Sequence, residues 1–142
     1  EILEAIFSRA HEAVSKIMAS FRFAEKPYSI KEIARNMRGI IDPTYQIGEG
    51  WLMPGEIVQM AKEGIHSFVI LNPFGCMPNH ITGRGMIKTL KKLFPRIQIL
   101  SLDYDPDTSF ANIENRLQML IITARELEGS SREREQLQSA VP

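Results

Sequence analysis

Apolar residues recur at alternating spacings of four and three at the start of the chain: Leu3, Phe7, Ala10, Val14, Ile17 and Phe21, with Ile6, Ala13 and Met18 widening the stripe. At 3.6 residues per turn these positions share one face, so residues 1–21 are expected to form an amphipathic helix. The period also suits a coiled-coil seam, but three heptads without flanking charge pairs favour ordinary packing. The pattern breaks between Phe21 and Pro27. Ser29-Ile30-Lys31-Glu32 then has the form of a capping box, with Tyr28 and Ile33 placed as a hydrophobic staple. This predicts a helix over 30–40, ended by Asp42-Pro43. Pro54 opens a third helix with Ile57, Val58 and Ala61 on one face; Gly64 stops it, and Ile65 is the apolar residue expected after a glycine cap.

Phe68 to Leu71 is a short apolar run followed by Asn-Pro, which is the pattern of a buried strand. A loop containing Cys76 follows, then a helix over 84–94 with Met86, Ile87, Leu90 and Leu93 on one side and Lys88, Lys91 and Lys92 on the other. A second strand is expected over 97–102 and a last helix over 110–127, ended by Gly129. The order, helices and then strand–helix–strand–helix, gives an α/β fold: a small parallel Rossmann-like βαβα unit preceded by amphipathic helices. Two strands alone make a poor sheet. A further strand is therefore expected from 40–45 or 46–52, or from a longer chain or partner, which makes this unit a fragment of a larger sheet. A start at Glu1 rather than methionine agrees with that expectation. The chain divides into an N-terminal helix and linker (1–27), an α/β module (28–128) and a flexible polar tail (129–142).

Composition narrows the classes. Lysine plus arginine balance aspartate plus glutamate at 17 each, so no strong field draws in nucleic acid or an anionic membrane. No apolar run approaches a bilayer span, and the first helix has no signal-peptide pattern. One cysteine permits no internal disulfide, which fits a reducing cytoplasm.

The candidate chemistry lies in residues 72–85. A strand that empties into a polar loop before a helix is where open α/β sheets place ligands. The backbone around Cys76, Pro73-Phe74-Gly75-Cys76-Met77-Pro78, is stiff, which fixes the sulfur direction, and amide dipoles ahead of the next helix favour a thiolate. Such a thiol can serve as a soft-metal ligand, as a nucleophile, or as a packed hydrophobe between Phe74 and Met77. An iron–sulfur cluster needs further thiolates, which this chain does not supply. His80 stands four residues on, without a second ligand pair for zinc and without an orienting partner for a catalytic dyad. A histidine in this position more often bonds its own loop. Thr82-Gly83-Arg84-Gly85 offers amides and a guanidinium to an anion, yet it is neither a Walker loop nor Gly-x-Gly-x-x-Gly; a turn with positive backbone angles is the simpler reading. Asp103, Asp105 and Asp107 alternate like cation ligands, but Thr108 occupies the position where an EF-hand needs glycine, and capping of the last helix explains them better. Asn112, Asn115 and Arg116 would then face the cysteine loop, and Glu49 and Trp51 would reach the same rim.

Several stretches together carry a resemblance: Gly48-Glu49-Gly50-Trp51-Leu52-Met53-Pro54-Gly55-Glu56, Asn72-Pro73-Phe74-Gly75-Cys76-Met77-Pro78-Asn79-His80, Gly83-Arg84-Gly85, Leu102-Asp103-Tyr104-Asp105 and Asn112-Ile113-Glu114-Asn115-Arg116-Leu117. Over residues 40–122 the chain resembles the C-terminal region of the large activase-related proteins allied to 2-hydroxyacyl-CoA dehydratases and benzoyl-CoA reductases. The resemblance implies an α/β module whose cysteine, Cys76, is one ligand of an iron–sulfur cluster, a 4Fe-4S centre in that family, near an acyl-CoA site. It also implies ATP-driven electron transfer by a part of the protein that has no counterpart here. The remaining cluster ligands would come from the rest of a longer polypeptide or from a dehydratase or reductase partner. His80, Arg84 and Asn115 would act as donors to cluster sulfurs or to an anionic substrate. The chain alone is expected not to turn over. Two alternatives stand beside this reading: a non-catalytic docking module with a structural Cys76, and a thiol enzyme using Cys76 and His80.

Overall fold

The computed structural model describes residues 2–21, 28–42, 44–45 and 48–139. The elements run α1 (Ile2–Met18), α2 (Ile30–Asn36), α3 (Leu52–Lys62), β1 (Ser67–Pro73), a π-helix (Asn79–Arg84), α4 (Ile87–Leu93), β2 (Gln98–Tyr104) and α5 (Phe110–Ser139). The fold is α/β, with one parallel sheet in which Phe68 pairs with Ile99 and Asn72 with Asp103. Among the described residues there is no third strand. Residues 44–45 and 48–51 include turns, and Pro43, Gln46 and Ile47 lie outside the described residues.

β1 alternates strictly: Phe68, Ile70 and Asn72 are buried, while Ser67, Val69, Leu71 and Pro73 are exposed. Side chains in a strand alternate between the faces, and directly paired residues share a face. The buried side meets α3, the π-helix and α4 in a core of Met37, Ile57, Val58, Ala61, Phe68, Ile70, Leu90, Ile97 and Ile99. Leu90 and Met37 are fully enclosed; each such side chain contributes about 1.5–3 kcal/mol. α2 crosses α3 where Gly55 leaves room, since a Cβ there would strike Ile33 and Met37. On the other face α5 lies over β2 through half-buried Ile113, Leu117, Leu120 and Ala124, and it buries Leu102. Val69 and Leu71 stay exposed on the same face of β1.

Several element ends differ from the sequence expectation, three of them in helices α2, α3 and α5. α2 closes at Asn36, and Ser29 caps it through its backbone carbonyl, not its hydroxyl: the amides of Glu32 and Ile33 donate to it at 2.9 and 3.0 Å. Tyr28 is engaged elsewhere, its hydroxyl donating to Glu63 Oε2 at 2.6 Å. α3 starts two residues before Pro54, which sits in the first turn where its missing N–H costs nothing. α5 does not stop at Gly129 but continues through the polar segment to Ser139. A mid-helix glycine costs only about 1 kcal/mol relative to alanine, and the Arg, Glu and Gln residues that follow are good helix formers. The glycine cap after α3 is as expected: Gly64 has φ +93° and the Ile65 amide donates to the Met60 carbonyl at 3.0 Å.

The apolar stripe of α1 is uncovered; Ile6, Phe7, Val14, Ile17 and Phe21 are all more than half exposed. No helix among the described residues is long and apolar enough to cross a membrane.

Candidate functional site

Both strands deliver polar side chains to their C-terminal ends. On β1, Asn72 has the same parity as Phe68 and Ile70, so it is fully buried under the π-helix. Its Nδ2 donates to Ser101 Oγ on β2. Arg84, the last residue of the π-helix, donates from Nε to the same hydroxyl at 3.2 Å and from Nη2 to Asp103 Oδ1 at 2.6 Å. From the opposite side of the sheet, Arg116 on α5 donates to the Ser101 carbonyl at 2.8 Å. Arg84, by hydrogen bond and by charge, holds the Asp103 carboxyl below its usual range, helped by Asn72 and by the nearby charge of His80.

The cysteine loop follows β1 directly. Gly75 takes φ +70°, which the turn requires and a side chain disfavours, and the Cys76 amide returns to the Pro73 carbonyl at 3.1 Å. Cys76 is half-buried, and its sulfur accepts a hydrogen bond from Asn79 Nδ2 at 2.8 Å. The apolar enclosure expected of a structural thiol is missing: Phe74, Met77 and Leu71 are 88%, 52% and 56% exposed. Gly48 packs against the ring of Pro78, where a Cβ would come to 2.7 Å, so the loop before α3 does border the cysteine loop.

A π-helix stands where a plain loop and turn were expected. The Thr82 hydroxyl donates to the Pro78 carbonyl at 2.8 Å, and the Gly85 amide reaches back five residues to the His80 carbonyl at 3.1 Å. Gly83 and Gly85 do not have positive φ. They are small for reasons of space: a Cβ on Gly83 would lie 2.9 Å from Met53 Sδ and 3.3 Å from Ile70 Cγ2, and one on Gly85 would run into the Ile81 carbonyl. Single π turns inside helical segments are frequent at functional sites.

Of the residues singled out from sequence, the fold brings Cys76, His80 and Arg84 to one end of the sheet. The His80 amide donates to the Cys76 carbonyl at 3.2 Å, but no hydrogen bond joins its ring to the sulfur. The thiol–imidazole dyad is therefore not formed. Asn115 is exposed on α5, outside the cleft of about 280 Å³ that Asn112 and Arg116 line with Asp103, Thr108 and Ser109. The three aspartates do not act as one unit either; Asp103 belongs to Arg84, while the backbone amide of Asp105 donates to the Thr108 hydroxyl oxygen at 2.9 Å. Asn72 and Asn79 belong to the Asn72–His80 segment and Ser101 to β2, but the sequence alone assigns none of the three a role. The parity of Asn72 with Phe68 and Ile70 was the available signal for one of them.

Among the described residues no three His, Cys, Asp or Glu side chains converge on a point. Cys76 would offer a metal one sulfur, with one amide donor beside it, and the described residues build no complete cluster site. Comparison with protein-family models, curated proteins and solved structures finds no match to this chain.

Proposed function

We propose that this chain is the α/β module of a redox protein of acyl-CoA metabolism, of the activase and dehydratase-like kind, and that Cys76 contributes one thiolate to an iron–sulfur cluster. The observation that carries this reading is the state of Cys76: half-buried at the C-terminal ends of parallel strands, free of an apolar enclosure and hydrogen-bonded at sulfur by Asn79. The bound cluster supplies one-electron chemistry. This chain supplies a fixed sulfur direction through Gly75 and Pro78, an N–H at that sulfur, and an Arg84–Asp103 pair with His80 at the rim. Arg84 is already paired with Asp103, so its remaining N–H groups offer only a weak anchor for an anionic group such as the phosphates of a CoA ester. The other cluster ligands come from outside this segment, from a longer polypeptide or a dehydratase or reductase partner. The single cysteine supports a reducing, cytoplasmic compartment.

A second reading, a docking module with a structural Cys76, is favoured by the exposed stripe of α1 and by the bare Val69 and Leu71. Iron and sulfide content of the full natural protein, purified without oxygen as wild type and as Cys76→Ser, separates the two. The redox reading predicts loss of iron in the variant, and the docking reading predicts no change.

A further inference from the structure

The described residues leave the apolar side of α1 bare. Ile6, Phe7, Val14, Ile17 and Met18 are 59%, 63%, 51%, 75% and 41% exposed, and Ala10 and Ala13 are exposed between them. From residue 5 to Met18 only Ser15 is half-buried, and Ser15 lies off the stripe. The ordinary packing expected from the sequence is therefore not made by this module.

Spacing says what shape of surface fits the stripe. Phe7, Ala10, Val14 and Ile17 continue the four–three alternation that Leu3 begins, a mean step of 3.5 residues. A stripe of that period stays in register along a second helix wound against it, whereas it drifts by about 20° per heptad along a straight helix. The flanks say which helix. Beside the seam stand Ile6 and Ala13 on one side and His11 and Met18 on the other, none with a permanent charge. Arg9, Glu12 and Lys16 all fall on the far side of the helix. Charges at the flanks of a helix pair select one partner and repel another. With none there, two identical stripes meet without like-charge repulsion, and a partner chosen by charge would find nothing to read.

The area is sufficient. An aromatic side chain buries about 150–250 Å² and an aliphatic one less, so at these exposures the stripe presents roughly 500 Å². Two such stripes face to face bury about 1,000 Å², the size at which a specific interface begins.

We propose that α1 pairs with α1 of a second copy of this chain. Phe7, Val14 and Ile17 form the seam, Ile6 and Met18 close its sides, and Arg9, Glu12 and Lys16 stay in water. The pairing uses no residue of the cysteine loop and does not rest on the cluster reading.

Sedimentation equilibrium of the full natural protein, over a hundredfold range of micromolar concentrations, tests this with wild type, Ile17→Gln, Phe7→Gln and Lys16→Gln. The expected result is reversible self-association of wild type, weakened severalfold or more by Ile17→Gln and by Phe7→Gln and unchanged by Lys16→Gln. A wild type that stays monomeric overturns the proposal and leaves the stripe to the rest of a longer polypeptide or to another protein. Equal association in all four proteins overturns it too, because the copies then meet elsewhere. So does a loss in Lys16→Gln as large as that in Ile17→Gln. Neither seam residue belongs to the core, and if circular dichroism shows that Ile17→Gln fails to fold, Phe7→Gln decides.

Discussion

The side-chain amide of Asn79 lies 2.8 Å from the sulfur of Cys76, three residues back along the chain. An N–H aimed at sulfur favours its more electron-rich state, and hydrogen bonds to ligand sulfurs are among the features that set cluster potentials. Asn79→Ala in the full natural protein is therefore expected to lower the reduction potential of a cluster bound through Cys76. Taking a typical net hydrogen bond as about 1 kcal/mol, the shift is about 40 mV for one electron. A spectroelectrochemical titration reads it, and an unchanged potential would mean that the bond carries no electronic role.

Arg84 and Asp103 make the clearest electrostatic pair at the strand ends. Because the folded carboxyl is held low, the pair stabilises the fold above the unfolded-state value of about 3.9, and its contribution is lost as pH falls through the lowered value. Both side chains are about half exposed, at 44% and 52%, so titration is a better readout than unfolding. Carboxyl-carbon NMR should show Asp103 titrating low in wild type and moving back towards the ordinary range in Arg84→Gln. A normal Asp103 in wild type would show that the pair does not persist in solution.

Two glycines in helical segments should respond oppositely to alanine. At Gly83 the new Cβ meets Met53 and Ile70, and overpacking of this kind costs about 1–3 kcal/mol. At Gly129 nothing lies within 4 Å and the helix runs on to Ser139, so alanine should gain about 0.5–1 kcal/mol. Urea midpoints of the two variants, at unchanged slope, check both signs.

Glu56, part-buried on α3, has its carboxyl pushed up by burial. The sign here is opposite to that of Asp103. The folded state binds the proton more tightly, so stability falls as pH rises from the unfolded value of about 4.3 through the raised one. Glu56→Gln should gain on wild type across that window, with the full advantage above it and none below. Paired urea curves at acidic and neutral pH measure the difference, and a constant difference across pH would argue that Glu56 is effectively solvated.

Much of the scaffold was legible in the sequence because it is written in local periodicity. The apolar run from Phe68 to Leu71, the glycine stop at Gly64 and the four–three spacing from Phe7 to Ile17 each name an element, although within that run only Phe68 and Ile70 are buried and the alternation is visible only in the fold. The strands proved longer than their apolar runs, since β2 extends to Asp103 and Tyr104 on backbone pairing to which side-chain hydropathy is blind. The site was legible only in part. Cys76, His80 and Arg84 stand out by residue type, but the Asn72–Ser101–Asp103 cluster exists only once the parallel register is set. Asn115 was legible as a residue of α5 but its direction was not: neighbouring helical positions diverge by about 100°, and Arg116, one residue on, is the residue whose side chain reaches β2. The π-helix was hidden because Pro78, Gly83 and Gly85 are usually loop residues. Here the two glycines serve close packing instead.

The central claim is that Cys76 binds metal. Iron and acid-labile sulfide per chain, with the electronic spectrum, measured without oxygen on the full natural protein as wild type and as Cys76→Ser, test it most directly. The account predicts a sulfur-to-iron charge-transfer band in wild type that is lost or strongly reduced, together with the iron, in Cys76→Ser, while circular dichroism shows the fold intact. Equal iron and an identical spectrum in the two proteins, or no iron in either, would contradict it and leave Cys76 a structural residue of a docking module.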